Sequence, residues 1–316
     1  MSYDCWCESD RAAASVFDAL ADPAYSGSVM VKMFIQYGLA GLAALFAGPV
    51  AAAMLRLAAG PDGRGPVSAL LSASPALAWL IAVGVIGLAG GIGIVSAKFV
   101  NFRWGLLCAG LVLAWVASAC GDLEASIRAT APGSPMIKLA IDGTLLMLLG
   151  AGAAAGIQRF ASDRAVWAEG RAAPAVTFGL GVAISAVCAA AASFLVAQTS
   201  MTGQAVFAAC CGAMFAGVLL RAMHIAAPAW AILLGIMLVT AAGPLIAEAT
   251  SRSAVELVRT VNAGGGPPLA RVLGWDWLAG SFIGLSVGLA WNSHSHEPEA
   301  GRLAGEVGRV AASGKA

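Results

Sequence analysis

Long apolar runs alternate with short polar breaks along most of this chain. A run of about 20 apolar residues lets an α-helix cross the roughly 30 Å hydrocarbon core of a bilayer. The pattern therefore predicts an all-α fold, a polytopic transmembrane helical bundle of about eight spans. The predicted spans are 33–55, 75–97, 104–121, 138–157, 174–197, 204–222, 227–247 and 275–292.

The breaks carry the glycines, prolines and charges that a helix in hydrocarbon excludes. Residues 56–66 (RLAAGPDGRGP) combine all three in one short stretch. The break at 221–228 (RAMHIAAP) is the least marked of the set. Residues 204–247 could therefore form one long kinked element instead of two helices, which would give seven spans.

The composition agrees with a membrane protein. Only 11% of the residues are charged, whereas soluble proteins average about 25%. The hydrophobic share is 59%, and the mean hydropathy is +0.84. A net charge of +1 argues against nucleic acid as a partner. The expected partners are membrane lipid and, in addition, a second copy of the chain or other membrane proteins.

The positive charges predict the orientation. Eleven of the 18 lysines and arginines fall on the side that holds both termini and the second, fourth and sixth connections. Because cytoplasmic loops carry an excess of Lys and Arg, both termini are expected in the cytoplasm. The abundance of Ala, Gly and Arg is typical of GC-rich bacteria, so we expect a bacterial inner (plasma) membrane protein.

The sequence divides into three regions. Residues 1–32 are expected to form a cytoplasmic segment with a short amphipathic helix at 10–21 (DRAAASVFDALA) and no cleavable signal peptide. Residues 33–292 form the bundle, and residues 293–316 are expected to be a disordered cytoplasmic tail.

Several parallels suggest an internal duplication, with halves 33–157 and 174–292 in the same orientation. Tyr37 in the first predicted helix aligns with Phe178 in the fifth, and each is followed by Gly-Leu. Trp104 and Trp230 lie near the starts of the third and seventh helices. Helices rich in Ala, Gly and Leu also resemble one another by composition alone. If the repeat is real, the interface between the halves is the natural solute site.

Small residues recur at helical spacing in two predicted helices. Gly84, Gly87 and Gly91 share one face of the second, and Gly152 and Gly156 form a GxxxG pattern in the fourth. Such spacing lets helix backbones approach closely in a membrane, so these glycines are predicted to pack helices together.

Charged residues occur only near the ends of the predicted spans. Asp142 is the acid placed deepest in a span, and Lys138 precedes it by four residues on the same face. The spacing favours an ion pair near the membrane interface. Arg271 and Asp276 repeat the arrangement. These four residues are the candidate contacts for a solute or ion.

The sequence contains few residues or motifs that are typical of catalysis or metal binding. It contains no Gly-x-Ser-x-Gly and no His-Glu-x-x-His motif, so we predict no catalytic residue and no cofactor. Cys5, Cys7, His294 and His296 could supply four ligands for zinc or copper. Their one-residue spacing is unusual for zinc, and no metal is expected.

The absence of a central charge guides the choice of function. Proton coupling usually needs a titratable group along the path, and none lies at the middle of a predicted span. Transport or binding of a small or apolar solute is therefore favoured. The first alternative is a non-catalytic membrane subunit or scaffold that packs through its Gly and Ala faces. The second is an interfacial membrane enzyme that uses Asp122, Glu124 and Asp142.

Overall fold

The structure describes most of the predicted bundle. The computed structural model describes residues 23–58, 65–121, 134–163, 175–198, 201–225, 227–251 and 267–291, together with a few isolated residues between them. The predicted helix at 10–21 and the predicted tail at 293–316 lie outside this part of the chain.

Eight long helices form within the described residues, one for each predicted span. Seven of them are long and apolar enough to cross a membrane, which indicates a multi-pass membrane protein. The helices are α1 (Pro23–Leu42, continued by Ala43–Ala47 and Gly48–Arg56), α2 (Pro75–Phe99), α3 (Phe102–Ala119), α4 (Pro135–Phe160), α5 (Ala175–Val196), α6 (Thr202–Ala222), α7 (Ala229–Thr250) and α8 (Gly274–Trp291).

The eighth helix, α8, lies at the centre of the bundle. It packs against α3, α4 and α6, and 13 of its 18 residues are buried. Trp277, Leu278 and Phe282 are at most 1% exposed. Because other helices rather than lipid cover most of its surface, α8 can carry a buried aspartate and two buried serines.

The least marked of the predicted breaks, at 221–228, separates two helices in the structure. Helix α6 ends at Ala222, and His224 adopts a left-handed backbone conformation with φ 55°. The Ile225 N–H then donates to the Leu220 carbonyl at 2.8 Å, a hydrogen bond that closes a helix end of the Schellman type. Pro228 precedes α7. The alternative of one kinked element over 204–247 is therefore wrong.

Helix α1 contains a π-helical turn just before a proline. Pro49 cannot donate a backbone hydrogen bond, and its ring crowds the preceding turn. The turn before it, Ala43–Ala47, widens to a π-helix, which accommodates such a residue. A side chain at Gly48 would collide with the Trp115 ring on α3. Trp115 thus packs against α1 at Gly48, while 43% of it stays exposed.

The closest helix contacts involve glycines other than those predicted. Side chains at Gly280, Gly284 and Gly288 of α8 would meet backbone carbonyls of α6. By contrast, an added Cβ at Gly87, Gly91 or Gly152 would meet no atom within 4 Å. At Gly84 and Gly156 the nearest atoms are the flexible ends of Met54 and Ile94, at 3.5 and 3.7 Å. The closest helix contacts of the described bundle therefore do not depend on these five glycines, and their packing role stays a prediction.

Several helix contacts recur in both predicted halves. Helix α1 packs on α3 as α5 packs on α7, α2 packs on α4 as α6 packs on α8, and α3 packs on α8 as α7 packs on α4. Tyr37 lies against Trp104 with ring centroids 6.0 Å apart, and Phe178 lies against Trp230 at 5.4 Å. The match is incomplete, since α2 packs broadly on α3 whereas α6 and α7 touch little. These parallels favour the duplication, which stays a prediction.

The two ends of the bundle differ. We call the end that holds connections 57–74, 120–134, 197–201 and 251–273 the carboxylate end, and the opposite end the arginine end. At the carboxylate end, the Gly121 N–H donates to the Gly65 carbonyl at 2.8 Å and ties two connections together. A separate hydrophobic cluster lies beneath them: Val67, Leu71, Leu123, Ile127, Met136, Leu139, Ala247 and Ala270.

Candidate functional site

The α3–α8 interface joins the two predicted halves and has a cavity at each end. The cavity at the carboxylate end has a volume of about 200 Å³. Its lining includes Cys120, Gly121, Thr202, Arg271, Trp275 and Asp276. The cavity at the arginine end has a volume of about 270 Å³. Its lining includes Asn101, Arg103, Trp104, Leu107, Ser286 and Val287.

Between the two cavities the helices are in direct contact. A Cβ added at Gly110 of α3 would lie 2.7 Å from Ile283 Cγ1 and 2.9 Å from the Ile283 backbone nitrogen. It would also lie 3.2 Å from Phe282 Cβ. Only glycine allows this approach, and the contact separates the two cavities in this conformation.

Asp276 lies at the wall of the carboxylate-end cavity and is 3% exposed. Its Oδ2 accepts a hydrogen bond from the Leu273 N–H at 3.2 Å. Leu273 immediately precedes α8, so the carboxylate caps the first turn of the helix, where backbone N–H groups lack partners. The predicted pair with Arg271 is not formed.

Arg271 turns instead toward the end of α5. Its Nη1 donates to the Ala197 carbonyl at 3.1 Å and also to the Gln198 carbonyl. The last carbonyls of a helix carry partial negative charge, so a guanidinium group is well placed there. Arg271 thus links two connections at the carboxylate end and also lines the cavity.

Asp142 is also buried, at 2% exposure, but it does not line either cavity. Its Oδ2 accepts hydrogen bonds from the Ser68 hydroxyl and from the Leu70 N–H at 2.8 Å. The Trp79 indole also faces this carboxylate, while Oδ1 has no hydrogen-bond partner among the described residues. The predicted pair with Lys138 is therefore wrong. Asp142 anchors the connection before α2 and not a neighbour on its own helix.

The arginine end is held by similar caps. The Asn101 side chain accepts from the Trp104 N–H at 3.1 Å and begins α3. Asp163 accepts from the Phe102 N–H at 2.9 Å, and Ser162 donates to the Val100 carbonyl at 2.9 Å. The short connection between α2 and α3 is thereby fixed against the end of α4, beside the cavity that contains Arg103.

Several sequence candidates lie outside the described residues: Cys5, Cys7, Asp122, Glu124, His294 and His296. Within the described part of the chain, no group of three His, Cys, Asp or Glu side chains could hold a metal ion. Sequence reasoning found Asp276 and Arg271 but missed Gly110, Cys120 and Thr202, which have no distinguishing pattern in an Ala- and Gly-rich chain.

The arrangement belongs to a multi-pass α-helical membrane protein with a cavity at each end of one central helix pair. Comparison with known proteins adds no closer assignment, since no family model, curated protein or solved structure matches the chain.

Proposed function

We propose that this protein transports a small solute across the membrane along the α3–α8 interface. The observation that carries the proposal is the position of the two cavities, at opposite ends of one helix pair that joins the predicted halves. In transporters built from repeats, the solute path lies at such an interface.

Transport would require the contact at Gly110 and Ile283 to open. Rocking of one half against the other would separate α3 from α8 on one side of the membrane at a time. Helix α4 is suited to act as the pivot, because it touches α8 at Gly143 and Gly274, whose Cα atoms come close together. The proposed orientation in a bacterial inner membrane places the carboxylate-end cavity outside the cytoplasm, as the positive-inside bias indicates.

Flux in proteoliposomes tests the proposal. Purified protein is reconstituted, and stopped-flow light scattering follows reswelling in glycerol, glycine or choline chloride. We expect at least one solute to enter faster than it enters empty liposomes. Cys120→Trp and Leu107→Trp each fill one cavity and should both abolish that difference, because a path needs both ends open.

Gly87→Trp is the matched control, since it adds the same side chain on an open face of α2. It should leave the flux unchanged. Rates equal to those of empty liposomes for all three solutes would contradict transport of small solutes of these classes. A flux that survives both cavity-filling variants would show that the path lies elsewhere.

A further inference from the structure

The carboxylate-end cavity contains a buried acid, Asp276, that forms no ion pair with a positive side chain of the described residues. The hydrogen-bond partner of Asp276 within the described residues is the Leu273 N–H, and no Lys, Arg or His there forms an ion pair with it. Burying a carboxylate without a counter-charge is unfavourable, so either a proton or a bound cation must supply the missing charge.

A cation can reach Asp276, because this carboxylate lines the cavity. Helix α3 ends at the cavity with Ala117, Cys120 and Gly121, and a helix C-terminus carries a partial negative charge. The first turn of α6, at Thr202, opposes this with a partial positive charge of about half a unit. The first turn of α8 adds a similar partial positive charge, which the Asp276 carboxylate caps directly. The charge of Arg271 is partly offset by the α5 carbonyls that it contacts.

We propose that this cavity binds a small organic cation, with its ammonium group at Asp276. The inference rests on the proposed transport function and names the class of solute. The cavity, at about 200 Å³, is below the roughly 300–1,000 Å³ of pockets for drug-sized ligands. The ligand is therefore a small amine rather than a lipid or a peptide.

Cys120 lines the same cavity and serves as a reporter of its charge. The other six cysteines are replaced by alanine, and the full chain is purified in detergent. The Cys120 thiolate is reacted with trimethylammonioethyl or sulfonatoethyl methanethiosulfonate, which form a mixed disulfide and release methanesulfinate. Each rate is divided by the rate of the same reagent with free 2-mercaptoethanol.

We expect the normalised rate of the cationic reagent to exceed that of the anionic reagent by about tenfold, since one nearby charge acts with opposite sign on the two. Asp276→Asn should bring the ratio to within about twofold of one, whereas Asp276→Glu should retain it. Asp142→Asn is the matched control, a buried acid at the same end but outside the cavity, and should leave the ratio unchanged.

Competition tests binding directly. Millimolar n-propylammonium should slow the reaction of Cys120 with the uncharged methyl methanethiosulfonate, whereas n-propanol and propionate should not. Equal rates for the two charged reagents, or a preference that persists in Asp276→Asn, would overturn the cation site. A cation preference without solute flux would contradict transport but support the cation site. Solute flux without the cation preference would support transport but contradict the cation site.

Discussion

Two buried aspartates near one end of the bundle have different tasks. Asp142 reaches across to residues more than 70 positions earlier and holds the turn Ala69–Leu71 through the Ser68 hydroxyl and the Leu70 N–H. Asp276 instead caps its own helix and lines a cavity. The same side chain is thus structural in α4 and a candidate for ligand binding in α8, because its neighbours differ.

The role of Asp142 gives the first prediction. Asp142→Ala leaves the Leu70 N–H and the Ser68 hydroxyl without their acceptor, so the free energy of unfolding should fall by about 2 kcal/mol. Lys138→Ala is the control, since Lys138 forms no pair with Asp142. This variant should change the free energy of unfolding by less than about 0.5 kcal/mol. Unfolding in SDS titrations and hydrogen exchange of the Leu70 amide measure the effects. An equal loss of stability in both variants would support the predicted ion pair between Lys138 and Asp142.

His224 gives the second prediction. It occupies a left-handed position that usually holds glycine at the end of a helix. His224→Gly should stabilise the protein by roughly 1 kcal/mol, because an L-residue pays about that much there. His224→Val should destabilise it, because a β-branched side chain fits this conformation poorly. Thermal unfolding in detergent compares the three proteins, and a less stable glycine variant would show that the imidazole stabilises this turn.

At the level of helix packing, the contact between α6 and α8 gives the third prediction. A Cβ at Gly284 would overlap the Cys210 carbonyl, so Gly284→Ala should cost about 1–3 kcal/mol. Gly87→Ala makes the same change on the open face of α2 and should be neutral or stabilising by up to about 1 kcal/mol, because alanine favours helix. SDS titration measures both. If Gly87→Ala instead dissociates an oligomer in detergent, that face binds a partner.

The arrangement of the entire bundle gives the fourth prediction. If the halves are repeats, the aromatic pairs Tyr37–Trp104 and Phe178–Trp230 should contribute similarly. Double-mutant cycles to alanine should yield coupling energies of about 0.5–1.5 kcal/mol for each pair. Between the two pairs, which lie in different halves, the effects should add. A large coupling in only one pair would argue that the likeness is compositional.

Much of the architecture follows from the order of residues alone. The length of an apolar run is a local property, so seven of the eight helices begin and end within three residues of the prediction. The start of α1 is the exception, at Pro23 instead of 33. Hydropathy marks the part of a helix that lies in hydrocarbon, and α1 continues beyond it with the polar residues of 23–29.

The partners of the charged residues could not be predicted in the same way. Helical spacing identifies neighbours on one helix, and it therefore suggested Lys138 for Asp142 and Arg271 for Asp276. The observed partner of Asp142 is Ser68, 74 positions away, and Arg271 reaches back to Ala197 over the same distance. Contacts between distant segments depend on how the helices pack, which no local pattern contains.

The sequence alone determines the membrane location, the number of helices and the confinement of charge to the two ends. Tertiary packing decides that α8 is central, that Gly110 and Gly284 rather than Gly87 and Gly152 form the close contacts, and that Asp276 borders a cavity. The physical reason is the solvent. In a bilayer the surfaces that face lipid and those that face protein are both apolar, so the hydrophobic pattern cannot tell one from the other.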